Sequence, residues 1–263
     1  MKLATFIAPG ESEPQAGEVR GEEIVAFAQG TVLDRLASGD RTPADGPAHA
    51  LADVTLLAPV PRPPAIFCIG RNYAAHIDEM RSERPEKPLV FLKLPNSSVP
   101  PSGPVRSPKV VAQLDYEAEL VLVMGPNNDI VGYAVADDVS ARDLQTTESQ
   151  WTRAKGFDTS CPWGPWITTA DEVPDARDLR VTTHVNGEQR QDGHTSDLIF
   201  GPEELVAFIA ETCTLEPGAI ILTGTPSGVG AAFDPPRFLQ EGDVVRVEVG
   251  GLGVLEHPVE SST

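Results

Sequence analysis

Glu117 and Glu119 open the apolar run of LDYEAELVLVMG, residues 114–125, and Asp137 and Asp138 close that of IVGYAVADDV, residues 130–139. Both stretches read as β-strands. Successive side chains of a strand point to opposite faces, so Asp115, Glu117, Glu119, Val121 and Val123 share one face, with the two glutamates about 7 Å apart. A strand carrying Glu-x-Glu beside one ending in Asp-Asp can bring three carboxylates together. Left unpaired in one pocket they would repel one another and resist ionisation. A cation removes the problem, and an all-oxygen ligand set favours a hard divalent ion, Mg²⁺, Mn²⁺ or Ca²⁺, over zinc. The competing reading makes Glu117 and Glu119 surface acids on an edge strand and the aspartates acceptors for backbone amides at a strand end.

Other residues have the spacing or surroundings for proton transfer and anion binding. In NYAAHIDEM, His76 and Glu79 are three apart and share a face if the segment is helical. A glutamate accepting from one imidazole nitrogen leaves the other as a base near neutral pH; alternatively the pair is an incidental feature of a surface helix. Lys155 in WTRAKGF is flanked by Trp151 and Phe157 and is either partly enclosed or solvated. In ARDLQ, Arg142 and Gln145 can fix a substrate, or Arg142 can pair with Asp143. Lys93 in FLKL is a weaker candidate that can equally snorkel from a strand edge. TGTPSGVG, residues 223–230, lacks the lysine of a phosphate-binding loop and reads as a tight turn needing glycine dihedrals. His184, His194 and His257 lie outside these motifs and are read as surface or loop residues.

The elements that must position these groups are mostly short strands. AIFCIG, LVFLKL, EAELVLVMG, IVGYAVADDV and WGPWITT are strand-like, and Asn186-Gly187 in LRVTTHVNGEQRQDG is a strong hairpin signal. GPEELVAFIAETCTL is the clearest helix, with Pro202 at its first position and Leu205, Phe208 and Ile209 on one face. GDVVRVEVGGLGVLEHPV reads as a closing hairpin. The pattern predicts a mainly β, α+β fold with a roll or sandwich core. The proline-rich APVPRPPA predicts a boundary near residue 60, dividing a small N-terminal domain, 1–60, from the main domain, 61–263. Hydrophobic residues make up 40% of the 263, enough for a sizeable core. The 39 acidic and 20 basic residues give a formal charge of −19, which argues against a nucleic-acid partner. No apolar run approaches the roughly 18 residues of a membrane span, and the N-terminus does not read as a secretory signal. Three cysteines without metal-ligand spacing suit a reduced, cytoplasmic protein.

FCIGRNYAAHIDEM, LVFLKL, DYEAELVLVMG, DDVSARDLQ, WTRAKGFDTSCPWGPW, NGEQRQDGHTSDLIF and ILTGTPSGVG, taken in this order and spacing, resemble the fumarylacetoacetate hydrolase family over roughly residues 60–260. The likeness is closest to its small members, the acylpyruvate hydrolases, oxaloacetate decarboxylases and 2-hydroxyhepta-2,4-diene-1,7-dioate isomerases. The resemblance implies a mixed β-roll core like that family's C-terminal domain, bound Mg²⁺ or Mn²⁺, and commonly a homodimer. It maps the ligands onto Glu117, Glu119 and Asp138, with Asp137 pointing away in support. It gives His76 and Glu79 the activation of water, Lys155 a place facing the metal, and Thr225 the carboxylate of a pyruvate-like moiety. The activity this implies is hydrolysis of a carbon–carbon bond in a small acylpyruvate-type 2-oxo acid through a pyruvate enolate. Decarboxylation or isomerisation at the same site is the alternative, and a non-catalytic metal- or oxo-acid-binding protein the reading from another class.

Overall fold

The computed structural model describes residues 1–262. Its largest sheet runs, in spatial order, through Glu23–Ala26, Gln15–Arg20, Lys2–Ile7, Cys161–Thr169, Ile130–Asp137, Ala118–Met124, Ile220–Leu222, Ile66–Gly70 and Leu89–Lys93. Most neighbours are antiparallel; Ile220–Leu222 and Ile66–Gly70 are parallel. A second sheet of five strands is built on the hairpin Arg180–Val185 and Glu188–His194 and on the closing hairpin Val244–Val249 and Gly253–Ser261. The fold is α+β and mainly β. The first N-terminal strand joins the large sheet by pairing Lys2 with Thr168 and Leu3 with Ile167.

The two sheets enclose the main core. Leu120, Leu122 and Met124 of the central strand meet Val181, Val245, Val247 and Leu255 of the second sheet, and helix Pro202–Ala210 adds Leu205 and Ile209. The other face of the central strand, Val121 and Val123, packs on Ala134, Ala136, Ile66 and Trp163. A strand covered on both sides has no polar face, which is why its sequence shows no alternation. All seven residues of Ala118–Met124 are buried.

The structure departs from the sequence reading at the start of this strand. Residues 114–124 are not one continuous strand: Leu114–Asp115 pairs with Ser140–Ala141 in a separate two-stranded ladder, and the large sheet takes the chain up again at Ala118. Asp115 therefore does not simply continue the face of Glu117 and Glu119. The intervening backbone is held by side chains: Asp137 Oδ1 accepts from the Glu117 amide at 2.8 Å, and Gln191 Oε1 from the Ala118 amide at 3.0 Å. Asp138 N in turn donates to Glu117 O, keeping the aspartate beside the glutamates.

Candidate active site

Glu117, Glu119 and Asp138 are buried, and each offers an oxygen within 4.8 Å of those of the others. Two oxygens bound to one ion at about 2.0–2.6 Å can lie no more than about 5.2 Å apart, so the three can share one divalent cation. Their surroundings differ. Glu117 Oε2 accepts from Lys155 Nζ at 2.6 Å, and Arg142 Nη2 stands 2.7 Å from Glu117 Oε1. Burial disfavours its charge, but these two cations outweigh it and hold the carboxyl down at about 2. Asp138 accepts from Lys93 Nζ at 2.6 Å and from Lys155 Nζ at 2.8 Å. Glu119 accepts the Gly224 amide at 2.6 Å and has no ion-pair partner among the described residues. Burial, then the charges of Asp138 and Glu117, push its carboxyl well above the usual carboxylate range. A buried carboxylate with no counter-charge is costly. A hard cation between the three would supply that charge, and each carboxylate oxygen has a second lone pair to offer it. The donor set fits a divalent ion.

The basic residues are more deeply placed than their motifs implied. Lys155 is 2% exposed, and its Nζ lies over the Phe91 ring at 5.2 Å; Phe157 packs instead against the main core. Asp138 and Glu117 raise its pKa against the effect of burial, so it stays charged. Of the two readings of Lys93, snorkelling from a strand edge does not hold: the residue is 2% exposed and pairs with Asp138. Arg142 does not pair with Asp143. It donates to Asp115 Oδ2 at 2.8 Å and to Gln145 Oε1 at 2.9 Å, bridging Asp115 to Glu117. Asp143 accepts the Ala112 amide instead.

His76 and Glu79 lie on helix Ala74–Glu79, and Nδ1 is 2.8 Å from Glu79 Oε1. The other glutamate oxygen accepts from Gly228 N at 2.8 Å, which ties the pair to the glycine-rich loop. Gly228 has φ +104, and a Cβ there would stand 2.1 Å from Arg190 O, so only glycine lets the loop lie this close. A cavity of about 370 Å³ is lined by His76, Glu117, Glu119, Lys155 and Thr225, with Arg142 and Gln145 at its wall. The structure thus brings every proposed site residue into one neighbourhood. Asp138 lies beneath it and Glu79 behind His76.

Two buried polar residues escaped the sequence reading. His257 is a correction: it is fully buried in strand Gly253–Ser261, with Nε2 3.0 Å from Asp137 Oδ2. It braces the aspartate that holds the Glu117 amide. The signal was present, since period-two alternation puts His257 on the face of Leu255 and Val259, both buried. Gln191, passed over as part of a hairpin, is fully buried between the Glu-x-Glu strand and the Thr225 loop.

A mainly β enzyme fold with a buried three-carboxylate metal site and a histidine–glutamate pair at one cavity defines a class of metal-assisted enzymes. The chain belongs to the fumarylacetoacetate hydrolase family: residues 65–260 match its model, described as Fumarylacetoacetate (FAA) hydrolase C-terminal. It is 36% identical to "Oxaloacetate tautomerase FAHD2A, mitochondrial" of Bos taurus, over 98% of this chain and 91% of that protein. It is 41% identical to "Oxaloacetate tautomerase YisK" of Bacillus subtilis, over 80% of this chain and 75% of that one. Among solved structures it resembles a fumarylacetoacetate hydrolase from Exiguobacterium antarcticum at TM-score 0.89 and 34% identity, covering 100% of both chains. It also resembles a 2-hydroxyhepta-2,4-diene-1,7-dioate isomerase from Mycobacterium marinum at TM-score 0.83 and 34% identity, covering 100% of this chain and 99% of that one.

Proposed function

We propose that the protein is a divalent-metal-dependent isomerase that moves a proton between the keto and enol forms of a small 2-oxo dicarboxylic acid of the oxaloacetate kind. The observation that carries this reading is the His76–Glu79 pair, anchored by Gly228 and opening on the same cavity as Glu117, Glu119 and Lys155. The names of the tautomerase relatives support it over the hydrolysis that the family resemblance puts first, with isomerisation at the same site as the alternative. Mg²⁺ or Mn²⁺ held by Glu117, Glu119 and Asp138 would supply Lewis acidity toward the oxygen that becomes the enolate. Glu79, accepting from Nδ1, fixes the imidazole so that Nε2 takes a proton from the carbon next to the keto group, or returns one. Lys155 carries positive charge at the cavity wall where negative charge develops. Thr225 and Gln145 bind the carboxylates, and Arg142 holds Gln145 in place while pairing with Asp115 and Glu117.

The test is ultraviolet absorbance of enol-oxaloacetate with chelator-stripped protein, before and after Mg²⁺ or Mn²⁺ is restored. Metal-dependent loss of the enol without pyruvate is expected. Metal-dependent pyruvate from acetylpyruvate, with no effect on the enol, would overturn the reading in favour of hydrolysis. His76→Ala should slow the proton transfer by about 10²- to 10⁴-fold while metal affinity is kept; unchanged turnover would remove the pair from the chemistry.

Two further proposals concern organisation. A division near residue 60 is supported by the start of the family match at residue 65. A homodimer is supported by Leu92, on the outer strand Leu89–Lys93 of the large sheet, and Leu94 just past its end, 47% and 42% exposed, and sedimentation equilibrium tests it.

A further inference from the structure

Gln191 uses its whole hydrogen-bonding capacity without touching the cavity. Its Oε1 accepts from the Ala118 amide at 3.0 Å and from Thr183 Oγ1 at 2.7 Å. Its Nε2 donates to Pro226 O at 2.9 Å and to Thr225 Oγ1 at 2.8 Å. A primary amide has two acceptor sites and two donors, and all four are engaged. The orientation of the amide is also decided. The Ala118 N–H can only donate and the Pro226 carbonyl can only accept, so oxygen and nitrogen cannot exchange places.

This has a consequence for Thr225. Its hydroxyl must accept from Gln191, so its own proton has to be directed elsewhere. Among the described residues it donates to no protein acceptor, and Thr225, 3% exposed, lines the cavity.

We infer that Gln191 is a positioning residue that fixes the polarity of the Thr225 hydroxyl, so that it enters the cavity as a donor and recognises an anionic oxygen, the carboxylate of a 2-oxo acid. A free hydroxyl shows an incoming carboxylate its lone pairs as readily as its proton. A locked one needs no reorganisation when the anion arrives. The same amide holds Ala118, which lies between Glu117 and Glu119, so one buried side chain ties the carboxylate donor to the acidic strand. The inference rests on the proposed reading of Thr225 as a carboxylate-binding residue.

The experiment is calorimetric titration of oxalate into the Mn²⁺-loaded protein, with Mn²⁺ affinity and melting temperature measured on every variant. Oxalate serves as a two-carbon dianion with the oxygen arrangement of a 2-oxo acid enolate. Thr225→Val should weaken oxalate by about tenfold, the worth of one hydrogen bond to a charged group. Gln191→Met removes the donor and frees the Thr225 proton to turn toward Pro226 O; it should weaken oxalate by a similar factor while Mn²⁺ affinity stays within about twofold. The double variant should lose no more than either single one. Gln191→Glu, which keeps an acceptor for Ala118, takes the place of Gln191→Met if that variant does not fold, and the Thr225→Val background separates its added charge from the hydroxyl effect. Unchanged oxalate affinity in Gln191→Met overturns the inference. So does independent addition in the double variant, or a loss of Mn²⁺ affinity equal to the loss of oxalate. If Mn²⁺ binds the parent and oxalate binds equally well to parent and Thr225→Val, the reading of Thr225 itself has failed and the inference falls with it.

Discussion

At the scale of the residue, the site is an arrangement of buried charges with one member uncompensated. Lys155, Arg142 and Lys93 satisfy Glu117, Asp115 and Asp138, whereas Glu119 has only the Gly224 amide. Replacing Glu119 with glutamine keeps an acceptor for that amide and takes away the ionisable group whose charge burial and the neighbouring carboxylates disfavour. Glu119→Gln should lower divalent-metal affinity by at least about 100-fold, the upper end of what outer-shell changes cost, while the metal-free variant melts no lower than its parent. Titration calorimetry and a thermal melt in chelator check both halves, and full metal affinity would exclude Glu119 as a ligand. His257 belongs to the same scale. His257→Leu strands Asp137 Oδ2 in the core and should cost about 3 kcal/mol. Urea unfolding of the metal-free protein measures it, and a negligible loss would mean the imidazole is not what supports Asp137.

At the scale of the element, the short helix Ala74–Glu79 depends on the glycine-rich loop for its aim. Gly228 donates to Glu79, and its carbonyl accepts from the Tyr116 hydroxyl at 2.9 Å. Gly228→Ala would drive a methyl into the Arg190 carbonyl and move both bonds. A displacement of about 1 Å at a catalytic group can cost about 10²-fold, so turnover should fall by that order while the far-ultraviolet dichroism is unchanged. Retained turnover would show that the loop does not position the pair. Much of this was legible in the chain. The hairpin at Asn186-Gly187, the helix behind Pro202 and the acids at two strand ends are local signals, and each appears where its residues put it. The break before Ala118 was not legible, because its cause is non-local: Asp137 and Gln191 lie 20 and 73 residues away from the amides they hold. Lys93 and Arg142 were ambiguous for the same reason. A lysine on a strand and an arginine opening a helix reveal their partners only when the sheet brings Asp138, Asp115 and Glu117 beside them.

At the scale of the whole molecule, a metal bound only by the folded chain stabilises it by mass action. Mg²⁺ or Mn²⁺ at one hundred times its dissociation constant should add about 2.7 kcal/mol, raising the melting temperature, and chelator should reverse the gain. Unchanged melting on saturation would contradict binding at the buried carboxylates. No helix among the described residues is long and apolar enough to cross a membrane. The interrupted strand has a last consequence. Because the Glu117 amide is held by the Asp137 side chain, a substitution that shifts Asp137 can re-aim Glu117 without altering the pairing of the strand from Val121 onward. The scaffold is thereby insulated from its own chemistry. The aim of one carboxylate and the integrity of the sheet that carries it are thus set by different contacts.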